Sequence, residues 1–132
     1  MINFASQKTI RLAAWLGALA VIIGAFGAHG LKPHLDVYQI GIFEKGVQYH
    51  FYHALALLVT GVLHTVKPDS RLLLFAGRGF TLGIVLFSGS LYVLACRDLL
   101  PFGTGWAGPV TPLGGLCFIG GWVALALAMR KS

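Results

Sequence analysis

Charged residues are scarce in this chain of 132 residues. Ten lysines and arginines and four acidic residues amount to 11%, where a soluble domain carries about 25%. A buried core alone does not explain so large a deficit, and lipid is implied as part of the solvent. Cysteine is nearly absent too. Cys96 and Cys117 form no CxxC and no zinc-ligand spacing, so they read as small apolar residues in or near helices. No basic patch interleaved with aromatics occurs, which argues against nucleic acid as the partner of a chain with net charge +6.

What is abundant fits the same picture. Hydrophobic residues make up 57%, the mean hydropathy is +0.80 and there are 18 glycines; glycine is commoner in membrane helices than in soluble ones. The length suits one membrane domain covering 1–132. The fold class expected is all-α, an integral membrane four-helix bundle with transmembrane helices at about 10–29, 47–64, 76–96 and 112–129.

Leu12 to Ala28 is free of charge over about 17 residues, ~26 Å as a helix. Lys8 and Arg11 before it resemble the n-region of a signal peptide; the stretch is read instead as transmembrane helix 1. Leu31, Leu35, Tyr38 and Ile42 then fall at helical spacing, with Lys32, Asp36 and Gln39 elsewhere on the wheel. That pattern suits a short amphipathic connector helix on the membrane surface, with a packed loop as the alternative. In the third span, Asp69 or Ser70 is placed to cap the start. Arg78 interrupts the run and either snorkels to the headgroups or is buried in the bundle. Pro112 stands in the expected first turn of the last helix.

Small residues recur where helices would meet: Gly17, Ala20, Gly24, Gly27 and Ala28 in the first span, Gly89 in the third, and Gly114, Gly115 and Gly121 in the fourth. Membrane helices pack by close approach at such positions.

Orientation follows from Lys and Arg. The N-terminus, the 64–78 connection and the C-terminus hold seven, and the other two connections hold three, Lys32, Lys45 and Arg97. The positive-inside rule then puts both termini in the cytoplasm. On that placement His29, His50 and His53, Ser88, Ser90 and Tyr92, and Thr111 converge near the outer face as one polar cluster.

His50 and His53, at i and i+3, can share a helix face. Three readings stay open. The imidazoles hydrogen-bond between helices or sit among headgroups. They handle a proton or small solute. Or, with His29 as a further nitrogen, they hold a metal or haem, for which no carboxylate is well placed. A serine nucleophile at Ser88 lacks a demonstrable base and oxyanion site, so no catalytic residue is assigned, and neither metal nor cofactor is expected.

Several runs carry a resemblance. Gly24-Ala25-Phe26-Gly27-Ala28-His29-Gly30, Tyr49 with His53-Ala54-Leu55-Ala56, Leu86-Phe87-Ser88-Gly89-Ser90-Leu91-Tyr92, Thr111-Pro112-Leu113-Gly114-Gly115 and Gly121-Trp122 occur in that order along nearly the whole chain. They resemble the YgdD/YwdK family of small bacterial inner-membrane proteins. The resemblance implies a four-helix membrane protein with no established activity. His29 and His53 match its pattern and His50 does not. The expectation is a non-enzymatic structural or interaction protein of the cell inner membrane. Its partners would be the lipid bilayer and a second copy or a larger membrane complex. A channel or transporter, and a metal- or haem-binding protein, are the alternatives.

Overall fold

The computed structural model describes residues 2–131, all-helical with no strand among them. Helix α1 spans Phe4–Phe26 and runs on through a π turn at Gly27–Leu31 and a 3-10 turn at Lys32–His34. Helix α2 spans Val37–Val66. Helix α3 starts as Arg71–Gly83, passes through a π turn at Ile84–Ser88 and finishes as Gly89–Ala95. After a 3-10 turn at Arg97–Leu99, helix α4 spans Ala107–Ala128.

Each of the first three helices starts on a side-chain cap that satisfies an otherwise orphaned N–H. Asn3 accepts from the Ser6 amide at 2.8 Å, and Ser70 from the Leu73 amide at 3.2 Å. Asp36 and Gln39 form a reciprocal capping box, with the Gln39 amide donating to Asp36 at 2.7 Å and the Asp36 amide to Gln39 at 3.0 Å.

The four-helix, all-α architecture stands, and the connections differ from expectation. No separate amphipathic helix precedes a second span at Val47. Only the short Lys32–His34 turn follows α1, and Val37 onward is already α2. Asp36 sets this start, and Gly46 does not break the helix because it lies against the Tyr92 ring. Helix α4 likewise starts at Ala107, so Pro112 lies inside it rather than in its first turn.

Contacts between helices follow chain order, α1 on α2, α2 on α3 and α3 on α4. Asn3 Nδ2 donates to the His64 carbonyl at 3.3 Å, and Lys67 Nζ donates to the Ala128 carbonyl at 2.9 Å. These two bonds gather the start of α1 and the ends of α2 and α4 at one end of the molecule. Lys67 there satisfies a terminal carbonyl of α4 with a cation, where the helix dipole favours one.

Three helical stretches, Phe4–His34, Arg71–Ala95 and Ala107–Ala128, are long and apolar enough to cross a membrane. Helix α2, at 30 residues, ~45 Å, is long enough but less apolar. Its buried face explains why. Gln39, Phe43, Gly46, His50, His53, Leu57, Thr60 and His64 are all buried and recur at alternating steps of four and three. That is a heptad seam, and five of its eight positions are polar. Helix α2 turns its polar side inward, and the other three helices cover it and face lipid.

Small residues set how closely the helices approach. A Cβ on Gly114 would stand 2.7 Å from Phe87 Cα, and one on Gly79 would stand 2.9 Å from the Cys117 carbonyl oxygen. Helices α3 and α4 therefore meet backbone to backbone. Helix α1 meets α2 at the buried Ala13 and Ala20 and at Gly24, where a Cβ would be 3.2 Å from Val47, while Gly27 lies against the Phe43 ring.

Candidate functional site

The polar side chains singled out in the sequence fall into separate pairings along the α2 seam. At the end of the bundle away from the chain termini, Gln39 Nε2 donates to Asp98 Oδ2 at 2.7 Å. Gln39 is 2% exposed. Its amide oxygen serves the capping box and its NH2 ties the start of α2 to the turn after α3, so one buried side chain fixes both. Asp36-x-x-Gln39 has the spacing of a capping box, the signal by which sequence reasoning could have found it.

Three steps further along the seam, His50 Nδ1 and the Tyr92 hydroxyl are 2.8 Å apart. His50 is 2% exposed. Its Nε2 meets no partner in hydrogen-bonding geometry among the described residues, though the Leu16 carbonyl of α1 faces it. Ser88 is also fully buried, and its Oγ has no partner among the described residues.

His53 is held from both sides. Its Nδ1 lies 2.7 Å from the Tyr49 carbonyl, and the Trp122 indole N–H donates to its Nε2 at 3.1 Å. A carbonyl only accepts and an indole N–H only donates. The ring is therefore the neutral tautomer with its proton on Nδ1. It stacks on Phe118, centroids 3.5 Å apart and 11° between planes, with Phe80, Tyr49 and Trp122 around it. The composition of the pocket is aromatic rather than serine-lined. Trp122 entered the sequence argument only through the family resemblance; nothing local marks it as the partner of a residue 69 positions away.

Ser90 and Thr111 are brought together, their hydroxyls 2.6 Å apart across α3 and α4. Ser90 also donates to the Phe87 carbonyl, the usual alternative for a helix serine. His29 is exposed at the π turn after α1 and joins none of these pairings. Among the packing residues, Gly24, Gly27, Gly114 and Gly121 sit at close contacts, and Gly17 and Gly115 have one neighbour each at 3.9 Å. Gly89 has nothing within 4 Å of where a Cβ would stand, and Ala28 is exposed. Gly46, Gly61, Gly79 and Gly83, not singled out beforehand, are contact positions.

Below His53 an apolar layer precedes the next polar seam positions, Thr60 and His64. Ala56, Leu57, Ala76, Phe80 and Phe118 form the core with Ala13, Ile84 and Ala124. Among the described residues no three His, Cys, Asp or Glu side chains gather as a metal site. His53 could ligate a metal only by giving up a hydrogen bond it already makes. Arg78 is exposed rather than buried.

These features define an integral membrane protein of the small helical-bundle class, built on a central helix whose polar seam is covered by its neighbours. The chain belongs to the family described as "Protein of unknown function (DUF423)", whose model matches residues 23–115. It is 41% identical over 122 residues to the UPF0382 membrane protein YwdK of Bacillus subtilis, covering 92% of this chain and 95% of that one. It is 42% identical over 122 residues to a UPF0382 membrane protein of Staphylococcus epidermidis, covering 92% and 94%. Against the UPF0382 inner membrane protein YgdD of Escherichia coli the identity is 38% over 121 residues, covering 91% and 87%. No solved structure matches. The names specify a membrane protein and no activity.

Proposed function

We propose that the protein is a non-enzymatic structural or interaction protein of the cytoplasmic membrane. It packs in the bilayer with a second copy or with another membrane protein, and both of its termini lie on the cytoplasmic side. The observation that carries this reading is the double engagement of His53. The polar group best placed for chemistry or proton handling has both ring nitrogens committed to protein partners. Gln39, Ser90 and Thr111 are committed too. A catalytic base or relay needs a free nitrogen within reach of its proton. Three buried side-chain atoms lack partners among the described residues, Ser6 Oγ, His50 Nε2 and Ser88 Oγ, and none of their residues lines the cleft at Lys32 and Glu44, the one at Lys8 and Arg78 or the one at His53 and Trp122. Leu57, packed in the core with Ala76 and Phe80, stands between His53 and Thr60 on the seam and leaves a transported ion no continuous polar path.

Charge supports the orientation. The end holding the chain termini carries Lys8, Arg11, Lys67, Arg71, Arg78, Arg130 and Lys131 with one carboxylate, Asp69. The opposite end carries Lys32, Lys45 and Arg97 with Asp36, Glu44 and Asp98. Lys and Arg accumulate on the cytoplasmic side.

Extraction from native membranes into polymer-bounded lipid discs tests the association. The expected particle holds more protein than one 14.1 kDa chain. Recovery of the lone chain alone under every mild extraction would defeat the reading, as would proton or ion flux above background in vesicles containing only this protein.

A further inference from the structure

A cleft of about 650 Å³ runs between α1 and α3 with α2 as its floor, at the end of the molecule that holds the chain termini. Its size falls in the ~300–1,000 Å³ range of small-molecule sites. Leu12, Leu57 and Leu82 line its deeper part. Gly77 of α3 also lines it, next to Leu57 and Thr60 of the floor. Two cations, Lys8 on α1 and Arg78 on α3, line it from opposite sides. Among the described residues neither makes an ion pair or hydrogen bond, and no carboxylate lines the cleft. The hydroxyls of Thr60 and Thr81 are turned onto their own helix, to the Ala56 and Gly77 carbonyls, both at 2.8 Å.

His64 supplies an independent observation. It is 5% exposed and faces into the same cleft, yet its ring makes no hydrogen bond among the described residues. Every other buried polar side chain of the α2 seam has at least one such bond. An imidazole without a protein partner, in a cleft that also holds two unpaired cations, is arranged for an anion.

The geometry points to a binding site for one anionic phospholipid, its headgroup phosphate between Lys8, Arg78 and His64 and an acyl chain along the leucines. Lys8 and Arg78 stand at the edges of the apolar runs of α1 and α3, so the basic part of the cleft would meet the headgroup layer and its leucines the acyl chains. A basic pocket between membrane helices is the usual form of anionic-headgroup recognition. The cleft at the opposite end, between α1 and α2, is lined by both Lys32 and Glu44 and lacks this one-signed character. The site requires only that the bundle sit in a membrane. It does not depend on self-association, and only its leaflet depends on the orientation proposed above.

Native mass spectrometry of the full chain in neutral detergent tests it, with phosphatidylglycerol and phosphatidylcholine of identical acyl chains as probes. One phosphatidylglycerol should bind ~10-fold or more tightly than phosphatidylcholine, since each cation near an anionic surface favours it appreciably. The double variant Lys8→Gln/Arg78→Gln should lose that preference. The matched double variant Lys32→Gln/Lys45→Gln, at the other end, should keep it. Equal binding of both lipids by the unmodified protein, or retained preference in the first variant, would overturn the site. Loss of preference in both variants would reduce it to general charge attraction and overturn it as well. Inorganic phosphate at equal concentration should not displace the lipid; displacement would assign the pocket to a soluble anion instead. Helical circular dichroism confirms that each variant is folded, and both substitutions lie on exposed side chains.

Discussion

Gly114 and Gly89 look alike in the sequence, and the structure separates them. A Cβ added at Gly114 would stand 2.7 Å from both Cα and Cβ of Phe87, where carbon atoms rest at about 3.5–4.0 Å. The shortfall is about 1 Å, and it falls partly on backbone, which cannot rotate away. Gly114→Ala should therefore push α3 and α4 apart along the whole contact that includes Gly79, Gly83, Phe118 and Gly121. Overpacking of this kind costs about 1–3 kcal/mol. Gly89→Ala adds the same methyl where nothing lies within 4 Å. It should be neutral, or stabilising by up to about 1 kcal/mol, through the better helix propensity of alanine. Unfolding of both variants by sodium dodecyl sulfate titration in mixed micelles, followed by helical circular dichroism, measures the difference. Equal stability of the two variants would refute the claim that backbone contact at Gly114 sets the α3–α4 spacing.

Other expectations follow from the seam. Tyr92→Phe removes the one hydrogen bond of His50, leaving a buried imidazole unsatisfied at a cost of about 1–3 kcal/mol in the same titration. Asp98→Ala frees the Gln39 amide; hydrogen exchange should rise at the start of α2 and stay unchanged at its His64 end, with a loss of about 1–3 kcal/mol. Blocking chemistry on single cysteines introduced at Lys131 and at Tyr38 tests the orientation. In intact cells an impermeant reagent should label the second position and spare the first.

Much of the architecture is legible because lipid imposes it. Charge-free runs of span length, bounded by Lys and Arg, have few alternatives to membrane helices. Of the two residues placed to cap α3, Asp69 and Ser70, the structure uses Ser70, and His50 and His53, spaced to share a helix face, are both buried. The start of α2 is harder to see. Asp36, Gln39, Glu44 and Gln48 look like surface polarity, and Gly41 and Gly46 look like interruptions. In the folded chain Gln39 is buried by Asp98 and Gly46 is packed by Tyr92. Both partners are far along the sequence, so the signal is tertiary. The site was mis-composed for the same reason. Helical depth puts His53 level with Ser88 and Ser90, but depth does not say which side of α3 each faces. Ser90 turns to α4 and Thr111, while the aromatic partners of His53 come from α3 and α4 at Phe80, Phe118 and Trp122.

That α2 carries its polar side inward and that protein groups satisfy it are the claims on which the functional reading stands. Nitrogen-15 NMR of the His53 ring, in protein labelled at histidine and held at neutral pH in lipid discs, measures this at the atom concerned. The bonds to the Tyr49 carbonyl and from the Trp122 indole predict two unlike nitrogens: a protonated, pyrrole-type Nδ1 and an unprotonated, pyridine-type Nε2, with Trp122→Phe shifting the second. A doubly protonated ring, the opposite tautomer, or a spectrum indifferent to Trp122→Phe would contradict the account.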